Sequence, residues 1–280
     1  MAKSDVLCKY GNFGDPRDNE KQRQLAEVFS RRSIYFARAA DLNDPFELKP
    51  RFNVTDTPEE QLVDWLAKVA MERNVKLRAS EAITFAQGYL KKNPDKFRDE
   101  KIDEQLTQNL QRDLSANVGI LCLSKVPDNI LMFSHYGAAH TGYCLEFEGQ
   151  SLKKHFSAAP PMEMNYVLEY PIVNPLHKVS MDMAMVLWGA KFRDWEYEQE
   201  ARFISDTSIS IGDGKAGGPG LKIYPKGALK AVAFGASTSA ENMERVRTWL
   251  SLRDDGPIDL IQTKPHPKEF RLVRHHVGTV

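Results

Sequence analysis

Neither sign of charge prevails in this chain: 38 lysines and arginines face 38 aspartates and glutamates over 280 residues. Without a basic field, bulk electrostatics gives no reason to expect nucleic acid or an anionic membrane as a partner. Cysteine is scarce, limited to Cys8, Cys122 and Cys144 with no Cys-x-x-Cys spacing. That argues against a disulfide scaffold or a structural zinc site and fits reduced thiols in a cytoplasmic protein. No apolar run approaches the ~18 residues of a membrane helix. The opening Met-Ala-Lys-Ser-Asp is not followed by the apolar stretch of a secretory signal. Internal repeats and low-complexity tracts are missing too. The glycine-rich stretch Ile211–Gly220 lacks the spacing and the Lys-Ser/Thr pair of a phosphate-binding loop, and reads as a hairpin connection.

What is present is an ordinary globular composition, 42% apolar and 27% charged, with length enough for a real core. Strand signals at Val6–Tyr10, Ser33–Ala37, Val118–Leu123, Gly142–Phe147, Met162–Leu168, Leu229–Gly235, Ile258–Gln262 and Glu269–Val273 mix with helices without regular alternation. Helical spacing marks Glu20–Arg32, Ser80–Lys92, Asp95–Ala116, Ile130 to about Ala139, Gln150–Phe156 and the Met-rich Ser180–Ala190. Thr57-Pro58-Glu59-Glu60 predicts a capping box, followed by a helix burying Leu62, Trp65, Leu66, Val69 and Ala70. A second capping box, Thr238 to Glu241, predicts a helix with Met243, Val246, Trp249 and Leu250 inward. The expectation is one α+β domain over residues 1–280 with a mostly antiparallel or split sheet, and a helical insert at 57–117.

The chemistry concentrates in Trp195–Phe203, Trp-Glu-Tyr-Glu-Gln-Glu-Ala-Arg-Phe. As a strand it would put Glu198, Glu200 and Arg202 on one face, with the two carboxylates about 6.5–7 Å apart. A guanidinium one repeat further on is placed to pair with one of them. Such a pair suits stabilisation of positive charge at a sugar carbon; the plain alternative is a solvated strand face with a salt ladder. Asn43-Asp44-Pro45-Phe46-Glu47 reads as a turn with an Asx cap and a buried Phe. Ser134, His135 and Tyr136 end a helix that begins apolar. His135 and His140, five residues apart, diverge by roughly 140° on a helix, so a shared metal is not expected.

These motifs occur in a recognisable order: Lys9-Tyr10; Tyr35-Phe36; Asn43-Asp44-Pro45-Phe46-Glu47; Leu123-Ser124; Met132-Phe133-Ser134-His135-Tyr136 with His140 and Gly142; and Trp195-x-Tyr197-Glu198-x-Glu200-x-Arg202. The order resembles a bacterial domain-of-unknown-function family, number 2971, over roughly residues 7 to 250, with Phe133 standing where the family usually has Trp. More distantly the chain resembles the ADP-ribosyltransferase fold, with an early polar dipeptide strand, an aromatic on the next strand and a late Glu-x-Glu strand. That resemblance implies NAD as substrate, Glu200 as the catalytic carboxylate and Glu198 as the acceptor-side one, with Arg202 beside them. It also implies that Lys9, Tyr10, Tyr35, Arg38, Asn43, Ser134 and His135 contact the dinucleotide. The early strand carries no clear His or Arg signature and no Ser-Thr-Ser follows the second strand. Two other readings stay open: a non-catalytic interaction or sensor module in stress or phage defence, and a metal-dependent hydrolase or nuclease using Glu198, Glu200, His135 and His140. The acceptor macromolecule is left open.

Overall fold

A computed structural model describes residues 5–74, 76–99, 101–156, 161–174, 176, 186, 188–207 and 217–280. Most of Ser180–Ala190 and of Ile211–Gly220 lies outside these residues. In chain order the strands are β1 (Val6–Gly11), β2 (Ser33–Arg38), β3 (Arg51–Phe52), β4 (Val118–Ser124), β5 (Tyr143–Glu148), β6 (Met162–Glu163), β7 (Asn165–Val167), β8 (Ile172–Val173), β9 (Ala190–Phe192), β10 (Glu200–Asp206), β11 (Gly220–Ile223), β12 (Leu229–Phe234), β13 (Asp259–Pro265) and β14 (Leu272–Thr279). The class is α+β with a mostly antiparallel sheet. Among the described residues no helix is long and apolar enough to cross a membrane. The chain divides into two compact units, the first made of residues 1–42, 115–166 and 193–280, the second of 43–114 and 167–192.

The first unit is built on a sheet running β11-β2-β4-β1-β5-β12-β13-β14, with β10 paired to β4 and to β6. β10 lies antiparallel along the whole of β4, from Glu200 opposite Ser124 to Asp206 opposite Val118. The other edge of β4 is shared. Ala37 and Arg38 of β2 face Ile120 and Gly119, while Cys8 of β1 faces Ser124. The sheet therefore splits along β4, and between the two contact points the Lys9 ammonium donates to the Cys122 carbonyl at 3.1 Å. The one parallel pair described in this sheet, β12–β13, is joined through the helix Ala240–Leu250, the kind of crossover that parallel strands require.

Alternation along the strands sorts the two sheet faces. Leu121 and Leu123 of β4, Ala201 and Phe203 of β10, and Leu145 and Phe147 of β5 join the main core with Leu25 and Phe29 of the Asn19–Ser30 helix and with Val246 and Leu250. Burying each such large side chain contributes about 1.5–3 kcal/mol. The opposite face carries Cys8, Tyr10, Cys144 and Ala233, covered by Met132 and Phe133 of the helix Ile130–His135. All three cysteines are free thiols.

The second unit packs the helices Glu59–Arg73 and Ala79–Lys92 around Leu62, Val63, Ala67, Ala82, Ala86 and Leu90. Its first helix departs from the expected capping box. Pro58 takes the cap position with no side-chain cap, and the Thr57 hydroxyl instead accepts from Asn174 Nδ2 at 2.9 Å. The buried stripe is rotated accordingly: Leu62, Val63 and Ala67 are inside, while Trp65 and Leu66 are only partly covered. The charged helix starts later than its pattern implies, at Lys101, and runs to Asn117. Likewise the cap of Ala240–Leu250 is Ser239, accepting from Asn242 N at 3.2 Å, while Thr238 reaches the Gly142 carbonyl at 2.8 Å.

Candidate functional site

Trp195–Phe203 is not one strand. Arg193–Glu198 forms a 3-10 helix, and β10 begins only at Glu200. The break is Gln199, whose φ of 42° is left-handed and cannot continue an extended run. The turn is secured by Gln199 N to Glu196 O at 3.1 Å and by Lys125 N to Gln199 O at 3.1 Å. Glu198 therefore does not share a pleated face with Glu200. Within β10 the alternation holds as expected: Ala201 and Phe203 enter the core, and Glu200 and Arg202 take the other face.

That face is not a solvated ladder. The side chains of Glu200 and Arg202 are 3% and 0% exposed. The guanidinium grips the carboxylate at two points, Nε to Oε1 at 2.6 Å and Nη2 to Oε2 at 3.1 Å, the strong bidentate geometry. Glu200 N donates to the Tyr166 hydroxyl at 2.8 Å. Glu198 is also buried, with the Tyr136 hydroxyl donating to its carboxylate. Ser124, directly opposite Glu200 in the ladder, donates to the Glu198 main-chain carbonyl at 2.7 Å.

The Ile130–His135 helix is fastened to this turn. Asn129 caps it, accepting from Leu131 N and Met132 N at 2.8 and 3.1 Å, and spends its Nδ2 on the Tyr197 carbonyl at 2.8 Å. His135 Nδ1 lies 2.7 Å from the Tyr197 hydroxyl. Two sequence motifs thus meet in space through Asn129, His135 and Tyr136. The helix is shorter than its pattern implied: beyond Tyr136 come Ala138, Ala139 and His140, all left-handed with φ of 45°, 52° and 66°. Each such non-glycine residue costs about 1–2 kcal/mol. This turn brings His140 Nε2 back to within 3.0 Å of Ser134 Oγ, which also donates to Ile130 O at 2.9 Å.

The remaining candidates disperse. Tyr10 is a brace: its hydroxyl donates to Val126 O at 2.6 Å and accepts from Asn129 N at 3.3 Å, and its ring meets Phe133 edge-on at 5.0 Å. Burial pushes its phenol pKa far up, so it stays protonated. Lys9 points to the opposite face of β1 and serves the split. Tyr35 lies on the same sheet face as Arg202, through Ala37 and Ile120, and is 45% exposed. Arg38 closes β2 and is exposed.

Asn43 belongs to the second unit. The Asx turn there is as expected, with Phe46 N donating to Asp44 Oδ1 at 2.9 Å. Phe46, however, is 63% exposed and it is Asp44 and Glu47 that are buried. Glu47 pairs with the buried Lys191 at 3.6 Å, and the turn lines a cavity of about 250 Å³ with Tyr170 and Phe192. Among the described residues no cluster of three or more His, Cys, Asp or Glu could hold a metal ion.

Ser124 and Tyr136 stood within the sequence motifs without a role, and Asn129 stood in none of them. Tyr166 had no sequence signal, since a tyrosine on an isolated short strand looks like any other.

Tyr136→Phe tests the link between the helix and the turn. A hydrogen bond to a charged group contributes about 1.5–3 kcal/mol, so the variant loses that much unfolding free energy by urea denaturation. An unchanged midpoint would mean the bond contributes nothing.

Residues 132–203 match the model of a family described as protein of unknown function, DUF2971. The matched segment runs from the Met132-Phe133-Ser134-His135-Tyr136 helix to the end of the Glu198–Phe203 stretch, so it contains both motifs that meet in this site. No curated protein and no solved structure matches the chain.

Proposed function

We propose that the protein cleaves the nicotinamide–ribose bond of NAD in the manner of ADP-ribosyltransferases, with Glu200 as the charge-stabilising carboxylate. The observation that carries this reading is the pair of buried carboxylates, Glu198 and Glu200, one held by Tyr136 and the other by Arg202. Burying two carboxylates is costly, and carboxylates held in fixed geometry are candidates for function. Breaking the glycosidic carbon–nitrogen bond builds positive charge on the ribose, which a preorganised carboxylate stabilises. The leaving nicotinamide is neutral and needs no strong acid.

In this reading Arg202 positions Glu200 before substrate arrives and shares it with the ribose afterwards, because both carboxylate oxygens are engaged without substrate. Glu198 serves the acceptor. Arg38 supplies positive charge for the diphosphate, Tyr35 offers an exposed ring, and Ser134 and His135 are the further contacts; Lys9, on the other sheet face, Tyr10, with its hydroxyl already engaged, and Asn43, in the second unit, take no part. The experiment is nicotinamide release from NAD, with water, protein, DNA and RNA offered as acceptors. Wild type releases nicotinamide, and Glu200→Gln lowers the rate by about 10²–10³, the usual cost of removing one transition-state charge partner. No release by wild type with any acceptor overturns the reading.

A second reading, a non-catalytic interaction or sensor module, is favoured by the closure of Glu200 on Arg202. Similar ion pairs elsewhere in the first unit, Glu146 with Arg274 at 2.7 Å and Asp255 with Arg253, brace the fold. In that case Glu200→Gln changes stability alone.

A further inference from the structure

The first unit carries another cleft, of about 600 Å³, remote in sequence from Glu198 and Glu200. One wall is His140 and Ser237; the other is the tip joining β13 to β14, with His266, Lys268, Phe270 and Arg271. Phe270 is wholly exposed, forgoing the ~1.5–3 kcal/mol that burying its ring would return. The tip that presents it is firmly built. His266 N donates to Arg271 O at 2.9 Å, Arg271 N to Glu269 O at 2.9 Å, and Lys268 N to His266 Nδ1 at 3.2 Å. Pro265 and Pro267 fix the backbone on either side of His266.

Two cations flank the ring. Arg271 pairs through Nε with Glu269, while Lys268 has no ion-pair partner among the described residues. The facing wall is equally fixed. The His140 ring stacks on Phe133 at 5.9 Å, its Nε2 is held by Ser134, and its carbonyl accepts from Ser237 N at 2.9 Å. The left-handed run through Ala138 and Ala139 is the conformational cost of holding it there. Its Nδ1 has no hydrogen-bond partner.

We propose that this cleft binds a nucleoside monophosphate. An exposed aromatic face accepts a base by stacking, worth about 1–3 kcal/mol, and the flanking Lys268 and Arg271 suit a phosphate. Ser237, exposed on the facing wall, offers its hydroxyl to the sugar. The volume falls in the range of small-molecule sites, which favours a mononucleotide over a polymer. The cleft includes none of Glu198, Glu200 and Arg202 and the proposal stands whether or not the NAD reading holds, although Ser134, which holds His140, figures in both.

The test is calorimetric titration of the full chain with AMP, with adenosine, inorganic phosphate and a ten-nucleotide RNA as separate arms. AMP binds saturably at one site, adenosine and phosphate each bind more weakly, and Phe270→Ala and Lys268→Glu each weaken AMP at least tenfold. Both side chains are exposed, so the variants fold, which circular dichroism checks. No saturable AMP binding overturns the proposal. So does AMP binding that both variants leave intact, which would place it elsewhere, or RNA bound more tightly than AMP, which would make this a polymer surface.

Discussion

Arg202→Met will lower the unfolding free energy by about 3–5 kcal/mol, the cost of breaking a buried ion pair by removing one partner. At 3% exposure the Glu200 carboxylate loses the guanidinium that grips both its oxygens. With roughly 2 °C per kcal/mol for a chain of this size, the thermal midpoint falls by about 6–10 °C. The double variant Glu200→Leu/Arg202→Met separates charge from packing. Replacing both partners with apolar groups removes the desolvation cost along with the attraction, and such exchanges are neutral or stabilising in many cores. The double variant therefore recovers most of the loss. A single variant within 1 kcal/mol of wild type would show that the pair contributes little. A double variant as unstable as the single one would place the effect in side-chain shape.

The pair also marks how far the sequence could be read. A guanidinium two residues beyond a carboxylate has its partner within reach by strand geometry alone, and the structure makes that contact. The class of fold was legible for the same reason: apolar alternation and helical spacing are local, and they recover most of the strands and the helices around them. The failures arose where a single backbone torsion decides. Gln199 turns left-handed, so Glu198 leaves the strand, and nothing in the Trp195–Phe203 pattern announces it. His140 follows two left-handed alanines and returns to Ser134, a contact that no straight helix allows. Phe46, expected inside, is exposed, and the buried side chain of that turn is Glu47, whose carboxylate is taken by a buried lysine 144 positions later, Lys191. Side-chain partners at such separation lie beyond any local pattern.

A large steric effect is expected at a residue outside the chemical motifs. A Cβ on Gly235 would lie 2.2 Å from the His140 carbonyl oxygen and 2.6 Å from its carbonyl carbon. Main chain cannot move aside as a side-chain tip can. That carbonyl already accepts from Ser237 N at 2.9 Å, and His140 N is tied to Phe133 O at 3.1 Å. Gly235→Ala therefore costs about 1–3 kcal/mol or more through overpacking and displaces the left-handed turn bearing His140. Gly88 is the control. It sits exposed within the Ala79–Lys92 helix, and an added Cβ meets nothing within 4 Å. There alanine loses less backbone entropy on folding and stabilises by about 0.5–1 kcal/mol. The same chemical change thus has opposite signs at the two sites, readable as opposite shifts of the urea midpoint. Equal shifts would mean that the close approach of Gly235 to His140 does not constrain the fold.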